Sequence, residues 1–176
     1  VFFEYEYSGL WKEVFQKYAQ VLNREETGQQ VMDDYYLRLK NFKQRFEEEF
    51  GPDKLSSLKI SVVRVYPDSI YLYFRESFIG TILRDAGFAR PKSQDISASE
   101  AYQRYKNQIQ APVSLEKISE ADGDVIFVWT AEEEATAPTA QKKLKELQAN
   151  SLWQNLKAVQ NDRVYVVPKY WIGSGP

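Results

Sequence analysis

The sequence has 176 residues, 43% hydrophobic and 27% charged, with a formal net charge of -2 at pH 7. These values are typical of a globular domain and give no basic field, so we expect no nucleic-acid partner. The chain contains no His and no Cys, which excludes thiolate nucleophiles, imidazole acid–base catalysis and Cys/His metal sites within it. We therefore expect neither a resident metal nor a cofactor.

Two helices are predicted in the first third of the chain. Over residues 8–22, apolar side chains recur at helical spacing after Ser8, which is a suitable N-cap. A second apolar stripe runs over residues 24–50 and stops at Gly51, followed by a proline. At 1.5 Å per residue the second helix would be about 40 Å long, enough to cross a small domain.

Strands and helices alternate in the remainder of the chain. Period-two or continuous apolar patterns predict strands over residues 58–65, 70–74, 124–129 and 163–167. Helical spacing predicts helices over residues 78–86, 98–108, 115–121, 139–148 and 151–159, with loops over the rest of 90–112 and over 130–138. The alternation predicts an α/β fold: a three-layer lobe with a mostly parallel central sheet flanked by helices and preceded by the long helix.

Arg64 is the strongest candidate for ligand binding. In the predicted strand 58–65 it falls on the same face as apolar residues, and a charge in that phase has to leave the core or find a partner. Open α/β sheets bind ligands at strand ends that face a crevice. Arg64 at its strand end could therefore hold an anionic group, while an exposed position or a pair with Asp68 are the structural alternatives.

Four other side chains are candidates for the same role. Arg75 follows aromatic residues, beside which a guanidinium can make cation–π contacts, although an ion pair with Glu76 would also account for it. Trp129 ends the third predicted strand. Tyr170 and Trp171 precede a Gly-rich tail on a loop, where aromatic residues often face a ligand. A small hydrophobic cluster is the alternative for this pair.

Glu116 lies in the first turn of the predicted helix 115–121, for which Ser114 is a plausible N-cap. A carboxylate is favoured there by the helix dipole, and this local benefit is sufficient to explain the residue. The acidic run at 132–134 is interpreted as a solvated loop, because no calcium-loop spacing surrounds it.

Signatures of an enzyme are weak. Gly173-Ser174-Gly175 follows no strand–turn–helix pattern, and the chain offers no His to act as its base. Neither a P-loop nor a G-x-G-x-x-G motif is present. Asp and Glu residues are scattered without a marked pair for glycoside hydrolysis. We predict that the chain is not an enzyme.

The order of several segments resembles the iron–siderophore substrate-binding proteins of ABC importers, the class with a helical backbone between two lobes. The segments that carry the resemblance are Tyr35-Tyr36, Val63-Arg64-Val65, 78–88, Val113-Ser114-Leu115-Glu116, 124–128 and 152–167. Each is a degenerate pattern, so the specificity lies in their order along nearly the whole chain.

The resemblance implies an architecture and a function. Residues 1–54 would form the hinge segment and the inter-lobe helix, and residues 55–176 the C-terminal ligand-binding lobe, with the N-terminal lobe absent. The full protein would be periplasmic or at the cell surface, peripheral to the membrane through its permease or a lipid anchor that this chain does not contain. It would capture a ferric siderophore between two lobes and deliver it to an ABC transporter permease.

The resemblance also suggests roles for the candidate residues. It places Arg64 against anionic oxygens of the chelate and Tyr170 or Trp171 along the cleft, and it gives Glu116 the role of docking to the permease. Haem or cobalamin on the same scaffold, a protein-interaction domain and a carboxylate-based hydrolase are the alternatives.

Overall fold

The described residues of the computed structural model, 7–130, 137–168 and Trp171, form one mixed sheet with helices on both faces. The strands are β1 (Ile60–Val65), β2 (Ile70–Tyr73), β3 (Gln110–Val113), β4 (Val125–Thr130) and β5 (Val164–Val166). The helices are α1 (Trp11–Val21), α2 (Glu25–Phe50), α3 (Lys54–Ser57), α4 (Phe78–Asp85), α5 (Ala98–Tyr105), α6 (Ala137–Ala149), α7 (Ser151–Gln154) and α8 (Lys157–Gln160), with 3-10 helices at Ser8–Leu10 and Leu115–Ala121.

The strand order is β3-β2-β1-β4-β5. β1 pairs with β4 and β4 with β5 in parallel, whereas β2 is antiparallel to both β1 and β3. β3 therefore points in the same direction as β1, so four of the five strands in the described residues run one way and β2 runs against them. The prediction of a mostly parallel central sheet is confirmed.

Helices cover both faces of the sheet, which confirms the three-layer architecture. On one face, Val63 and Val128 pack with Leu147 of α6 and with Trp153 of α7, a residue only 1% exposed. The opposite face is covered by α4, where apolar residues of the helix contact apolar residues of β1: Ile79 and Leu83 against Ile60 and Val62. The burial of alternate residues of β1 on opposite faces follows from the period-two geometry of a strand.

The long helix was predicted correctly and is attached to the sheet through α4. It spans Glu25–Phe50 and ends where Gly51 adopts a φ of 92°, a left-handed conformation that favours glycine. Tyr35 of α2 donates a hydrogen bond of 2.7 Å to Asp85 of α4. Further along α2, the ring of Phe46 lies 5.9 Å from that of Phe88, just after α4. The predicted division of the chain at residue 54 stays a prediction.

The helix-capping role predicted for Ser8 is wrong. Residues Ser8–Leu10 form a 3-10 turn before α1, and the Ser8 hydroxyl instead accepts a hydrogen bond of 3.2 Å from the backbone N–H of Phe78. Ser8 therefore provides the acceptor for an N–H group at the start of α4, which is far away in sequence. A contact of this kind cannot be predicted from the residues next to Ser8.

Strand β3 was missed because its sequence departs from a typical strand. It was predicted as a loop after a helix over 98–108, but α5 ends at Tyr105, where Lys106 adopts a left-handed φ of 56°. Pro112 lies inside β3 and lacks a backbone donor. An edge strand tolerates this, because the outer side of its ladder has no partner to satisfy.

The predicted helix 151–159 is two short helices. The chain is extended at Leu156, between α7 and α8. The carboxylate of Asp122 accepts hydrogen bonds from the backbone N–H groups of Lys157 (2.9 Å) and Ala158 (3.2 Å). An acidic residue from a distant loop thus caps α8 and stabilises the break.

Gly28 lets α1 and α2 approach closely, and an alanine at this position is expected to destabilise the fold. A Cβ built on Gly28 lies 2.6 Å from the Cβ of Ala19. Gly28→Ala should therefore lower the free energy of unfolding by about 1–3 kcal/mol through overpacking, although alanine is the better helix former. Urea unfolding checks this. The swapped double variant Ala19→Gly/Gly28→Ala should recover part of the loss, and a more stable single variant would contradict the prediction.

Candidate functional site

Arg64 lies near the carboxyl end of β1, on the face that the sequence predicts. It pairs across the sheet with Tyr71 of β2 and with Trp129 of β4. Ile60 and Val62 share its face, and the guanidinium is half-buried beyond them. The carboxyl end of a parallel sheet is where α/β folds place their ligands.

The guanidinium of Arg64 is held by tyrosines. Its Nη1 donates a hydrogen bond of 3.0 Å to the hydroxyl of Tyr73, and its Cζ lies 4.3 Å from the ring centroid of Tyr66. Its Nε is buried without an acceptor among the described residues. The alternative of a pair with Asp68 is not found, because no described carboxylate lies within ion-pair distance of Arg64. The charge is therefore fixed in place and has no carboxylate partner among the described residues.

Aromatic rings surround this charge, and we call the group the Arg64 cluster: Arg64, Tyr66, Tyr71, Tyr73 and Trp129. The rings of Tyr66 and Tyr71 meet edge to face with centroids 5.2 Å apart. Those of Tyr73 and Trp129 do the same at 5.0 Å. Such edge-to-face pairs are a favourable arrangement of aromatic quadrupoles, so each ring fixes the orientation of its neighbour.

Burial favours the neutral form of the Tyr73 hydroxyl. Desolvation raises its pKa well above the ordinary value for tyrosine, and the neighbouring Arg64 opposes that rise only in part. A neutral phenol accepts the hydrogen bond from Arg64 without cancelling its charge. The Arg64 cluster therefore presents one positive charge within an aromatic surface, an arrangement suited to an anionic ligand with aromatic or apolar parts.

Trp129 lies beneath the surface of this cluster. Its side chain is 0% exposed, and its Nε1 has no hydrogen-bond acceptor among the described residues. In this position the indole supports the ring of Tyr73 from below. Direct contact between Trp129 and a ligand stays a prediction.

Arg75 does not converge with Arg64. Because β2 runs against β1, Arg75 lies beyond the end of β2 that is farther from Arg64. It stands four residues past Tyr71, or about 13 Å along an extended chain. Its guanidinium forms ion pairs with Glu76 at 3.4 Å and with Asp95 at 3.1 Å. The structural alternative for Arg75 is thus present, and its predicted contact with the ligand stays a prediction.

The aromatic pair near the end of the chain is only partly described. Trp171 packs its ring 4.7 Å from that of Phe127, on the same face of the sheet as Arg64. Tyr170 lies outside the described residues. The hydrophobic contact expected for the pair is present for Trp171, and its role toward a ligand stays a prediction.

Glu116 lies at the same edge of the sheet as Arg64. Val113, the last residue of β3, is level with Ile70, which is level with Val65 at the end of β1. Glu116 follows in the first turn of the 3-10 helix and is exposed. Its pKa is lowered by hydrogen bonds from the hydroxyl of Ser114 and from its own backbone N–H. Ser114 therefore holds the carboxylate instead of making the side-chain cap predicted for it.

The sequence analysis did not identify Tyr66, Tyr71 or Tyr73 as candidate residues of the site. The alternation of β2 places the last two on one face, which was a usable signal. Their approach to Arg64 depends on the antiparallel pairing of β2 with β1, which the pattern of a single strand does not specify.

Neither a metal centre nor a membrane span is found in the part of the chain that the structure describes. No three or more His, Cys, Asp or Glu side chains converge there in a group able to hold a metal ion. No helix there combines the length and the apolar character needed to cross a bilayer.

Comparison with known proteins places these features in context. The family model for periplasmic binding proteins matches residues 1–171. The iron-uptake system-binding protein of Bacillus subtilis (strain 168) is 34% identical over 161 residues, 90% of this chain and 45% of that protein. The probable siderophore-binding lipoprotein YfiY of the same strain is 30% identical over 161 residues, 91% of this chain and 46% of that protein.

A solved structure supports the same fold. It is that of the triscatecholate siderophore binding protein FeuA from Bacillus subtilis, complexed with ferri-bacillibactin. The two structures superpose with a TM-score of 0.72 at 30% identity, covering 92% of this chain and 51% of that chain. This chain therefore spans about half the length of the relatives it matches.

The hydroxyl of Tyr73 is expected to stabilise the site through its bond to Arg64. Tyr73→Phe should lower the free energy of unfolding by about 1–2 kcal/mol, because a buried donor on a charged group loses its acceptor. Chemical denaturation measures the change. Tyr71→Phe is the matched control, since the described residues provide no hydrogen bond to its hydroxyl, and an equal loss in both variants would contradict the assignment.

Proposed function

This chain belongs to the periplasmic binding protein family, and on that premise we propose that the full protein carrying it captures a ferric siderophore for an ABC importer. In this proposal the protein acts outside the cytoplasmic membrane and binds its ligand without chemical turnover. The siderophore already coordinates the iron, so this chain needs no metal ligands of its own.

The observation that carries the proposal is the guanidinium of Arg64 at the carboxyl edge of the sheet, which no carboxylate of the described residues neutralises. Ferric siderophores present anionic oxygens around the metal, and a guanidinium offers these oxygens charge-assisted, directional hydrogen bonds. Tyr66 and Tyr73 hold Arg64 in one orientation before the ligand arrives. A preorganised donor loses less conformational entropy on binding, which favours affinity.

The relatives support iron as the cargo. One is named as an iron-uptake system-binding protein, another as a probable siderophore-binding lipoprotein, and FeuA was solved with ferri-bacillibactin. In our proposal the Arg64 cluster forms one wall of the cleft. The facing wall comes from the half of the fold that this chain does not span.

The roles of the surrounding aromatic residues follow from their depth. Tyr66 and Tyr71 are partly exposed and present ring surface beside Arg64, while Trp129 supports them from the core. Trp171 extends the aromatic face beyond Phe127 and flanks the ligand in this proposal. Tyr170 has the same proposed role.

We propose that Glu116 contacts the permease. Its exposed carboxylate is held by Ser114, whose hydrogen bond lowers its pKa and favours the ionised form. It lies at the sheet edge that also carries Arg64. A membrane partner that binds at this edge would contact Glu116 and would at the same time face the opening of the ligand site.

Removal of the Arg64 charge tests the ligand assignment. In the full protein, Arg64→Ala should weaken binding of the cognate ferric chelate by about 1–3 kcal/mol, the scale of a charge-assisted hydrogen bond. Tryptophan fluorescence titration with ferric bacillibactin, ferric citrate, ferrioxamine B, haem and cobalamin identifies the ligand and measures its Kd.

The control is Arg104→Ala, which removes an exposed arginine on α5 that forms an ion pair with Glu100. Unchanged affinity in Arg64→Ala would contradict the role of Arg64. Binding of haem or cobalamin alone would replace the siderophore by that ligand, and binding of none of the five would remove iron uptake as the function.

Loss of the Glu116 carboxylate should separate delivery from capture. Glu116→Gln is expected to reduce uptake of radioactive iron into cells severalfold and to leave the Kd for the chelate unchanged, because an interfacial charge pair is lost. Glu120→Gln, an exposed position on the same 3-10 helix, serves as the control. Normal uptake by the Glu116 variant would exclude this docking role.

A further inference from the structure

A second arginine lies buried against the backbone of Tyr73, a member of the Arg64 cluster. Arg90 is 8% exposed, and its polar neighbours Gln94 and Ser61 are 0% exposed. These residues form a hydrogen-bonded network between β1 and β2. None of the three belongs to the Arg64 cluster.

The network fills the gap where β1 and β2 separate. Their regular pairing stops at Val63 and Leu72. Beyond that pair, the side chain of Gln94 replaces the missing partner: its Oε1 accepts a hydrogen bond of 2.8 Å from the N–H of Val62, and its Nε2 donates at 2.7 Å to the hydroxyl of Ser61. The donor and the acceptor together fix the orientation of the amide.

Arg90 is held by neutral acceptors. Its Nη2 donates to Oε1 of Gln94 and to the backbone carbonyl of Tyr73, both at 2.6 Å. Its Nε and Nη1 are buried without an acceptor among the described residues. Burial lowers its pKa to about 9, which leaves the guanidinium charged at neutral pH.

No described carboxylate forms an ion pair with Arg90. Asp95 is the acidic residue that influences it, and that side chain is paired with Arg75 at 3.1 Å and is half exposed. Buried charges are ordinarily paired, because desolvation is costly. Gln94 is a neutral amide at a position where a carboxylate would fit, so it accepts the hydrogen bond of Arg90 without adding a negative charge.

The contact of Arg90 with Tyr73 brings its positive charge next to the Arg64 cluster. Tyr73 contacts two guanidinium groups that form no ion pair among the described residues, with Arg90 at its backbone carbonyl and Arg64 at its hydroxyl. We propose that Arg90 is a specificity-determining residue whose buried positive charge raises the affinity of the Arg64 cluster for strongly anionic ligands.

This inference rests on the proposed function and narrows the ligand class. Within a protein, a charge separated from the ligand by one tyrosine is screened less than a charge in solvent. A ferric triscatecholate keeps a large negative charge, because three doubly charged catecholates exceed the charge of Fe³⁺. In a trishydroxamate the charges cancel. The field of Arg90 therefore favours the catecholate complex.

Gln94→Glu in the full protein tests this with little change of shape. The carboxylate keeps the acceptor for Arg90 and Val62, and the hydroxyl of Ser61 can rotate to donate to its second oxygen. The variant should fold, with a Tm equal to or above that of the wild type, while the charge of Arg90 is neutralised. Gln103→Glu adds the same charge at an exposed position of α5 and is the matched control.

The measurement is the Kd for ferric bacillibactin and for ferrioxamine B, a trishydroxamate complex with a free ammonium group. Gln94→Glu should weaken binding of ferric bacillibactin roughly tenfold, which is the effect of one charge about 12 Å away at an effective dielectric constant of about 20. It should leave ferrioxamine B binding unchanged or stronger, and Gln103→Glu should change neither. Arg90→Lys, which keeps the charge, should stay within about twofold of the wild type for ferric bacillibactin if the charge and not the fork geometry matters.

Each other outcome overturns the inference. Equal weakening for both ligands would show that Gln94 and Arg90 only support the shape of the site. Equal affinities for ferric bacillibactin in the wild type and Gln94→Glu would show that the buried charge does not reach the ligand. A wild type that binds ferrioxamine B but not ferric bacillibactin would refute the preference for anions while leaving siderophore capture in place. A wild type that binds neither these two nor the other chelates would remove the proposed function and this inference with it.

Discussion

The antiparallel pairing of β2 with β1 is the constraint on which the site depends. It places Tyr71 beside Arg64 and lets Tyr73 reach the guanidinium with its hydroxyl. The same reversal carries Arg75 to the far end of the sheet, where Glu76 and Asp95 neutralise it. Had β2 run parallel to β1, the two arginines would lie toward the same edge and the tyrosines would not bracket Arg64. Strand direction thus decides which arginine remains available to a ligand.

The electrostatics of the site follow from the burial of Tyr73 and Arg90. Tyr73 is a neutral phenol, a form that desolvation favours further by raising its pKa, so it orients Arg64 without reducing its charge. Arg90, below, contacts neutral acceptors only among the described residues. Charges without partners cost folding free energy. Among the described residues, two such charges lie on either side of Tyr73, and the proposed anionic ligand would supply the negative charge that they lack there.

Local pattern predicted the features that depend on neighbouring residues in sequence. The long helix, its end at Gly51, and the placement of Arg64 on the face of Ile60 and Val62 are set by periodicity and glycine conformation. Features that depend on contacts distant in sequence were not predictable in this way: the hydroxyl of Ser8 serves α4, and Pro112 lies in a strand that is acceptable only at a sheet edge. The gathering of tyrosines around Arg64 belongs to the second group.

The amino and carboxyl edges of the sheet carry different features: the contacts of the long helix lie at the first, and Arg64 and Glu116 lie at the second. Lys59, just before β1, bridges to Ala89, so the segment after α4 that contacts Phe46 of the long helix lies at the amino edge of β1. Arg64 and Glu116 lie at the carboxyl edge, one strand length of about 20 Å away. Attachment of α2 therefore leaves the carboxyl edge open to a ligand and a partner. These contacts of α2, made by Tyr35 with Asp85 and by Phe42 with Phe88, involve none of the residues of the Arg64 cluster.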